Sequence, residues 1–386
     1  MKTIYIMISK ICLRLREIDM IAKMIFAWFV SKLYKKVDFW LISERGREAR
    51  DNGFVFYKWI KQNHPEVFVK YIISKESKDF ARINSEDIVL FKSFNHLVCI
   101  WRAKYLISTH IMGYTPDHVF FSKLDSKIRI LRGKKKIFLQ HGIIKDKLES
   151  LFYRNINVNL FVSGSNLEYK YISDNFGYPE GIVQYTGLCR YDNLVSIETK
   201  NQLLIMPTFR IYVDREHFED SEYFIAYRDL LCSKEFHCLL EQYDYQAVFY
   251  PHYEFQSKIS LFQKLDLSDR VLIADMSYDV QQLLKESNLL ITDFSSVFFD
   301  MMYMNKPIVF YQFDEERYRI GHYKQGYLNY RDVGPVVKEI PDLLKAIEYS
   351  LSNNERIGPY QDYYNMTFTK RDTLNCQRVY DAIIRC

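Results

Sequence analysis

From Asp38 onward, short runs of β-branched and aromatic residues alternate with amphipathic stretches of helical length, a rhythm that confines the chain to parallel sheets covered by helices. Strands are expected at 38–43, 67–74, 87–91, 105–109, 136–140, 160–163 and 183–186, with helices near 51–63, 95–102 and 166–176 between them. A second series follows, with strands at 203–206, 246–250, 271–274, 289–292 and 307–311. Its helices are expected near 222–243, 255–264, 279–286, 296–304 and 341–352, and one or two closing helices in 359–386. The predicted fold class is α/β, with two Rossmann-like units, 37–195 and 196–386, facing each other across a cleft. Ligands of such sheets bind at the carboxyl ends of the strands, so functional residues are sought there.

The 386 residues carry a net charge of +5, and residues 1–36 alone contribute +6, so the rest is nearly neutral. That distribution argues against a general nucleic-acid-binding surface. Within the segment the longest uncharged run, Met24 to Ser31, is 8 residues, far short of the roughly 20 needed to span a bilayer. No small-residue cleavage site follows it, so a secretory signal is not expected. Two readings stay open. One is a cationic helix with Phe26, Trp28 and Phe29 lying in the headgroup plane of an anionic membrane. The other is a first helix packed on the body of the protein.

Seven cysteines without a C-x-x-C pair fit reduced thiols in a cytoplasmic protein. The histidines show no metal-ligand spacing, no D-x-D stands near a strand end, and Walker A and G-x-G-x-x-G patterns are absent. No metal and no resident cofactor are expected.

Four strand ends carry chemistry. The run Leu289 to Asp314 stops a buried strand at Thr292-Asp293, places Ser295 and Ser296 where a helix N-cap would stand, and so outlines a pyrophosphate site. Simple helix capping is the alternative. The strand before His141-Gly142 ends in an imidazole placed to take a proton from a hydroxyl, beside a glycine that allows close approach; Lys145 could hold an anionic acceptor. A structural histidine is the alternative there. In the second unit, Pro207-Thr208-Phe209-Arg210 offers a planar guanidinium fork for phosphate oxygens, and Pro251-His252 a donor to an oxygen gaining charge. Lys306 and Asp314 lie nearby, with ordinary surface or strand-end roles as the alternative.

Taken together, H-G-x-x-K-D, T-G-x-x-R-Y-D-N-L from Thr186 to Leu194, P-T-x-R, P-H, and T-D-F-S-S-V-x-F-D with K-P-I-V-F-Y-Q-F-D resemble the CDP-glycerol glycerophosphotransferase family of teichoic acid polymerases and primases. The match runs from Asp51-Asn52-Gly53 to the end. One departure is that lysine follows His141 by four residues, where the polymerases have H-G-T-P-x-K. The resemblance implies a GT-B-like fold, with 37–195 as the acceptor unit and 196–386 as the nucleotide-donor unit. It further implies transfer of a polyol phosphate from a CDP-alditol to a hydroxyl of a teichoic-acid-like or capsular acceptor, with CMP leaving. His141 would be the base, His252 and Arg210 would stabilise the transferring phosphoryl oxygens, and Thr292, Ser295 and Ser296 would bind the diphosphate, with Asp293 orienting the serines.

The expected setting is peripheral, at the cytoplasmic face of an anionic membrane, with a lipid-linked or polymeric glycan as acceptor. Two alternatives are carried beside it. One is a GT-B glycosyltransferase using a nucleotide sugar in capsule or cell-surface polysaccharide synthesis. The other is a non-catalytic scaffold of such a complex.

Overall fold

The computed structural model describes residues 2–35, 38–194, 199–321, 324–352 and 357–386, with side chains from residue 16 onward. The segment boundaries expected at residues 36/37 and 195/196 fall on residues outside this set.

The first unit contains β1 (Trp40–Ser43), β2 (Val69–Ile73), β3 (Ile88–Leu90), β4 (Tyr105–Ser108), β5 (Lys135–Phe138), a two-residue β6 (Asp146–Lys147), β7 (Leu160–Ser163) and β8 (Val183–Tyr185). Seven of these form a sheet in the order β3-β2-β1-β4-β5-β7-β8, every pair parallel. The second unit has β9 (Gln202–Ile205), β10 (Gln246–Phe249), β11 (Val271–Ile273), β12 (Leu289–Thr292), β13 (Ile308–Tyr311), a two-residue β14 (Lys324–Gln325) and β15 (Val336–Val337). Its six-stranded parallel sheet runs β11-β10-β9-β12-β13-β15. In each sheet the chain steps outward through three strands and then reverses. The switch points lie between β1 and β4, and between β9 and β12, which is where open α/β sheets gather ligands.

The strands are short, and β1, β4, β7, β9, β12 and β13 are buried throughout, as expected when helices cover both faces, while the edge strands β3, β8, β11 and β15 are only partly covered. Those helices are α1 (Lys2–Ser31), α2 (Asn52–Asn63), α3 (Phe94–Arg102), α4 (His118–Ile128) and α5 (Asn166–Asn175) in the first unit. The second has α6 (Glu222–Leu231), α7 (Lys234–Gln242), α8 (Ile259–Gln263), α9 (Val280–Glu286), α10 (Phe298–Tyr303), α11 (Glu315–Gly321) and α12 (Ile340–Ser352), before α13 (Gln361–Thr367) and α14 (Asn375–Arg385) close the chain. The single helix expected over 222–243 is two, because the Ser233 hydroxyl accepts the Phe236 N–H at 3.2 Å and starts a new helix. Unforeseen in the sequence, α4 begins at the Asp117 N-cap, whose carboxylate accepts from Phe120 N at 2.9 Å.

The units are stitched together. Antiparallel β6 and β14 pair Asp146 with Gln325 and Lys147 with Lys324. The last helix crosses back: Asn375 N and Cys376 N both donate to the Asp192 carboxylate at 2.8 Å, and Tyr380 stacks on Trp40 and His64 of the first unit. An amphipathic α14 thus belongs by packing to the first sheet, although it follows the second in sequence.

Both readings of the N-terminal segment have a physical basis in α1. Its inner face buries Met24 and Ala27 against α3, and the Trp101 indole donates to Met24 O at 2.9 Å. Its outer face leaves Ile18, Ile25, Phe26 and Phe29 exposed, and Leu33 is exposed in the turn that follows. Among the described residues no helix is long and apolar enough to cross a membrane.

Candidate active site

The carboxyl ends of β1, β4 and β5 converge on His141. The residue before it, Gln140, sits in the left-handed region at φ 61°. That conformation costs a non-glycine residue about 1–2 kcal/mol and survives where neighbours enforce it. The enforcement is visible: Gln140 Nε2 donates to Val162 O at 2.5 Å, and Asn52 Nδ2 donates to Gln140 O at 2.8 Å. The turn throws the His141 ring into the cleft, where it reaches solvent.

The tautomer of that ring follows from its partner. Nδ1 lies 3.4 Å from the Thr109 carbonyl, which can only accept, so Nδ1 carries the proton and Nε2 presents its lone pair. The His110 ring stacks on it at 4.3 Å and 8°. Crowding by surrounding protein holds the His141 imidazole below its usual pKa, against the opposing pull of Asp51. A neutral imidazole with a free Nε2 is a competent general base.

Gly142 explains the need for glycine. A Cβ there would lie 3.0 Å from Ser296 Oγ, so the H-G turn of one unit and the serine pair of the other meet across the cleft. Ser295 and Ser296 are partly exposed, and Ser295 Oγ accepts Val297 N–H at 3.3 Å. The helix they were expected to cap is only six residues and starts at Phe298, beyond them. Hydroxyls, not a helix end, are what the pair offers.

Other expected residues are placed differently. Arg210 is fully buried: Nε and Nη2 hold both oxygens of Asp314 at 2.6 and 2.9 Å, Nη1 pairs with Asp293 at 2.8 Å, and the Phe294 and Tyr318 rings flank the guanidinium. Its fork is spent on two carboxylates, so the expectation that it grips phosphate oxygens is corrected. Asp293 accepts from Thr208 N at 2.9 Å and from Arg210, and so anchors the Pro-Thr-x-Arg turn to the serine loop instead of bonding the serines. Thr292 is buried and its hydroxyl donates to Met206 O at 2.7 Å, tying β12 to β9 and not facing the cleft. Lys145 is buried and bonded to Asp146, at the inter-unit ribbon, so it is not open to an anionic acceptor. Lys306 is buried with its ammonium donating to Leu284 O, Lys285 O and Ser287 O.

His252 is half-buried at the end of β10. Its Nδ1 accepts the Glu254 N–H at 3.3 Å, which puts the proton of the neutral ring on Nε2 as a hydrogen-bond donor. Burial pushes its pKa down to about 4. The two histidines therefore have opposite tautomers, one an acceptor and one a donor.

Three further residues hold the site together and were not singled out by sequence reasoning. Arg190, from the T-G-x-x-R motif, grips both Asp300 oxygens at 2.8 and 2.9 Å, Asp51 at 3.0 Å and the His141 carbonyl at 2.9 Å. It thus fixes the base turn to α10 of the opposite unit. Asn52 accepts Arg190 N–H at 2.9 Å while holding Gln140, so the D-N-G motif supports the same turn. Glu168, buried and pushed up to about 7, accepts from Ile144 N and Gly164 N at 2.6 and 2.7 Å and braces the H-G-I-I loop. Its S-x-x-E spacing after Ser165 is a capping-box signal, which reads only its helix role.

The profile of one family, described as CDP-glycerol:poly(glycerophosphate) glycerophosphotransferase, matches residues 24–385. The minor teichoic acid biosynthesis protein GgaB of Bacillus subtilis (strain 168) is 32% identical over 373 residues, covering 92% of this chain and 40% of its own. The teichoic acid ribitol-phosphate primase of Bacillus spizizenii is 29% identical over 197 residues, 48% of this chain and 44% of its own. The chain therefore spans less than half the length of either relative. Among solved structures, the wall teichoic acid polymerase TagF superposes with a TM-score of 0.69 at 20% identity, over 98% of this chain and 97% of that one. A UDP-N-acetylglucosamine 2-epimerase from Listeria monocytogenes gives 0.58 at 14% identity, over 90% and 96%. Both likenesses are of fold, and they agree with two Rossmann-like units facing a cleft.

Proposed function

The chain belongs to the CDP-glycerol:poly(glycerophosphate) glycerophosphotransferase family, and on that premise we propose that it transfers glycerol phosphate, or a related polyol phosphate, from a CDP-activated donor to a hydroxyl of a teichoic-acid-like or capsular acceptor. The observation that carries this reading is the meeting of His141-Gly142 with Ser296 across the cleft, a base and hydroxyl donors at one point.

In the proposed step, His141 Nε2 takes the proton of the acceptor hydroxyl as its oxygen attacks the distal phosphorus. A new P–O bond forms, the bond to the bridging oxygen breaks, and CMP leaves with that electron pair. His252 Nε2–H and the Ser295 and Ser296 hydroxyls donate to phosphoryl oxygens as charge shifts onto them. Positioning and charge stabilisation suffice for such a transfer, and no covalent intermediate is invoked. Supplying CDP-glycerol, CDP-ribitol and a panel of UDP-sugars tests the donor: CMP release supports the reading, and release of UDP alone overturns it.

The pH dependence has a definite sign. The base works when neutral, and burial lowers its pKa from the ordinary imidazole value. The acid limb of activity, read as kcat/KM for CMP release, should be centred below about 6.5, the ordinary imidazole value. An acid limb centred above 6.5 contradicts the assignment.

The membrane association is likewise proposed: the exposed apolar row of α1, flanked by Lys23, Lys32 and Lys35, lies in the headgroup region at the cytoplasmic face and brings the cleft to a lipid-linked acceptor. Replacing Phe29 and Leu33 together by aspartate should weaken sedimentation with anionic vesicles about tenfold or more, since each exchanges apolar burial for repulsion. Unchanged binding rejects α1 as the contact.

A further inference from the structure

The placement of the cations leaves a gap. Of the basic residues that the site motifs contain, Arg210, Arg190 and Lys145 are each matched to carboxylates, and Lys306 is buried against three backbone carbonyls. A diphosphate entering between His141 and His252 needs a positive partner that is not already neutralised.

One residue meets that need by position. Arg45 follows β1, at the switch point where β1 and β4 diverge, and is exposed. Its backbone is left-handed at φ 55°. A long side chain is rarely found there, and such outliers persist only when their neighbours dictate them. Both neighbours do. Glu44 is buried, its carboxylate accepting from Arg50 N at 2.8 Å and Phe54 N at 2.6 Å. Gly46, at φ 70°, is wedged so tightly that a Cβ would fall 2.3 Å from the Phe91 ring, and it bonds Ser43 Oγ at 3.0 Å and Ser74 N at 2.7 Å. The turn is pinned at both ends, and Arg45 is its projecting residue.

The side chain lies within electrostatic reach of the site. Its charge acts on His141 and on His110, which stacks on His141. Its charge also acts on Tyr253 of the opposite unit, the residue after His252, and the rings of His252 and Tyr253 pack 4.5 Å apart. The Arg45 charge is thus felt on both the base side and the donor side of the cleft. Its charge reaches Glu48 on the same loop, but among the described residues no carboxylate forms an ion pair with it.

We propose that Arg45 is a catalytic residue that binds the distal phosphate of the nucleoside diphosphate donor between His141 and His252. This rests on the donor reading above and adds to it the cation that Arg210 does not supply. A guanidinium there neutralises the phosphoryl oxygens while the attacking hydroxyl surrenders its proton to His141.

The test is calorimetric titration of the full chain and its Arg45→Gly and Arg45→Lys variants with CDP, CMP, UDP and UMP, alongside thermal unfolding. Glycine suits the φ of this position, so Arg45→Gly should unfold at the same temperature or higher. It should nonetheless lose about ten- to hundredfold in affinity for the diphosphate, the worth of a charged hydrogen bond, while the monophosphate is unaffected. Arg45→Lys should recover part of the loss. Wild-type diphosphate affinity in Arg45→Gly overturns the proposal, as does an equal loss for monophosphate and diphosphate. If the protein binds UDP and not CDP with the same Arg45 dependence, the CDP donor reading fails and the role of Arg45 stands. If CDP binds without that dependence, the reverse holds. Binding of neither diphosphate overturns both.

Discussion

His141→Ala should lower CMP release from CDP-glycerol by about two to four orders of magnitude, the usual contribution of a positioned general base. The ring reaches into the cleft, and its turn is held by backbone contacts from Asn52 and Arg190 that alanine leaves in place. The loss should therefore fall on kcat, with thermal stability and donor affinity close to wild type. A scaffold with no chemistry of its own would show no change in product. A structural histidine would show loss of fold along with loss of rate.

The second large effect is on stability. Arg210→Ala leaves Asp293 and Asp314 buried, with neither retaining its guanidinium partner, in a pocket where all three side chains are closed to solvent. Breaking one buried pair typically costs about 3–5 kcal/mol, and here two are broken at once. Against a total stability of about 5–15 kcal/mol, the second unit should fail to fold or unfold well below the wild-type temperature. Arg210→Lys keeps the charge but loses the bidentate fork and should also be strongly destabilised. A phosphate-gripping arginine would behave oppositely, with thermal stability kept and donor affinity lost. Circular dichroism melts of the two variants separate these outcomes.

Arg210 also shows how far the sequence could be read. The P-T-x-R motif marked a residue that matters, but two carboxylates from distant strand ends, Asp293 and Asp314, decide that it matters by holding the donor loop. Lys145 differs, since its partner Asp146 is adjacent in sequence, and it is burial at the inter-unit ribbon that closes it to an acceptor. Thr292 fails because a strand-end hydroxyl found a backbone carbonyl first. Charge complementarity over more than eighty residues of separation leaves no periodic trace in a single chain.

What was legible was local. The strand cores of both sheets stand where β-branched runs occur, because burial on both faces demands them. Strands of two residues, such as β15, carry too little pattern to be seen. The His141 turn was legible from its glycine, and the serine pair from its strand-end position. Asn52, Arg190 and Glu168 lay inside motifs but act through backbone groups of other segments, and a motif does not reveal which backbone it serves. Arg45 was hidden for a related reason: its value lies in a left-handed turn that only the packing of Gly46 under Phe91 explains.

The central claim is attack at phosphorus by an acceptor oxygen deprotonated at His141. Phosphorus NMR of the full-length protein with CDP-glycerol and a glycerol-phosphate-terminated acceptor follows that event directly. The account predicts that the diphosphate resonances give way to one phosphomonoester, CMP, and one new phosphodiester, and that His141→Ala halts both changes together. Appearance of CDP instead, with its diphosphate intact, would mean attack at carbon and would contradict it.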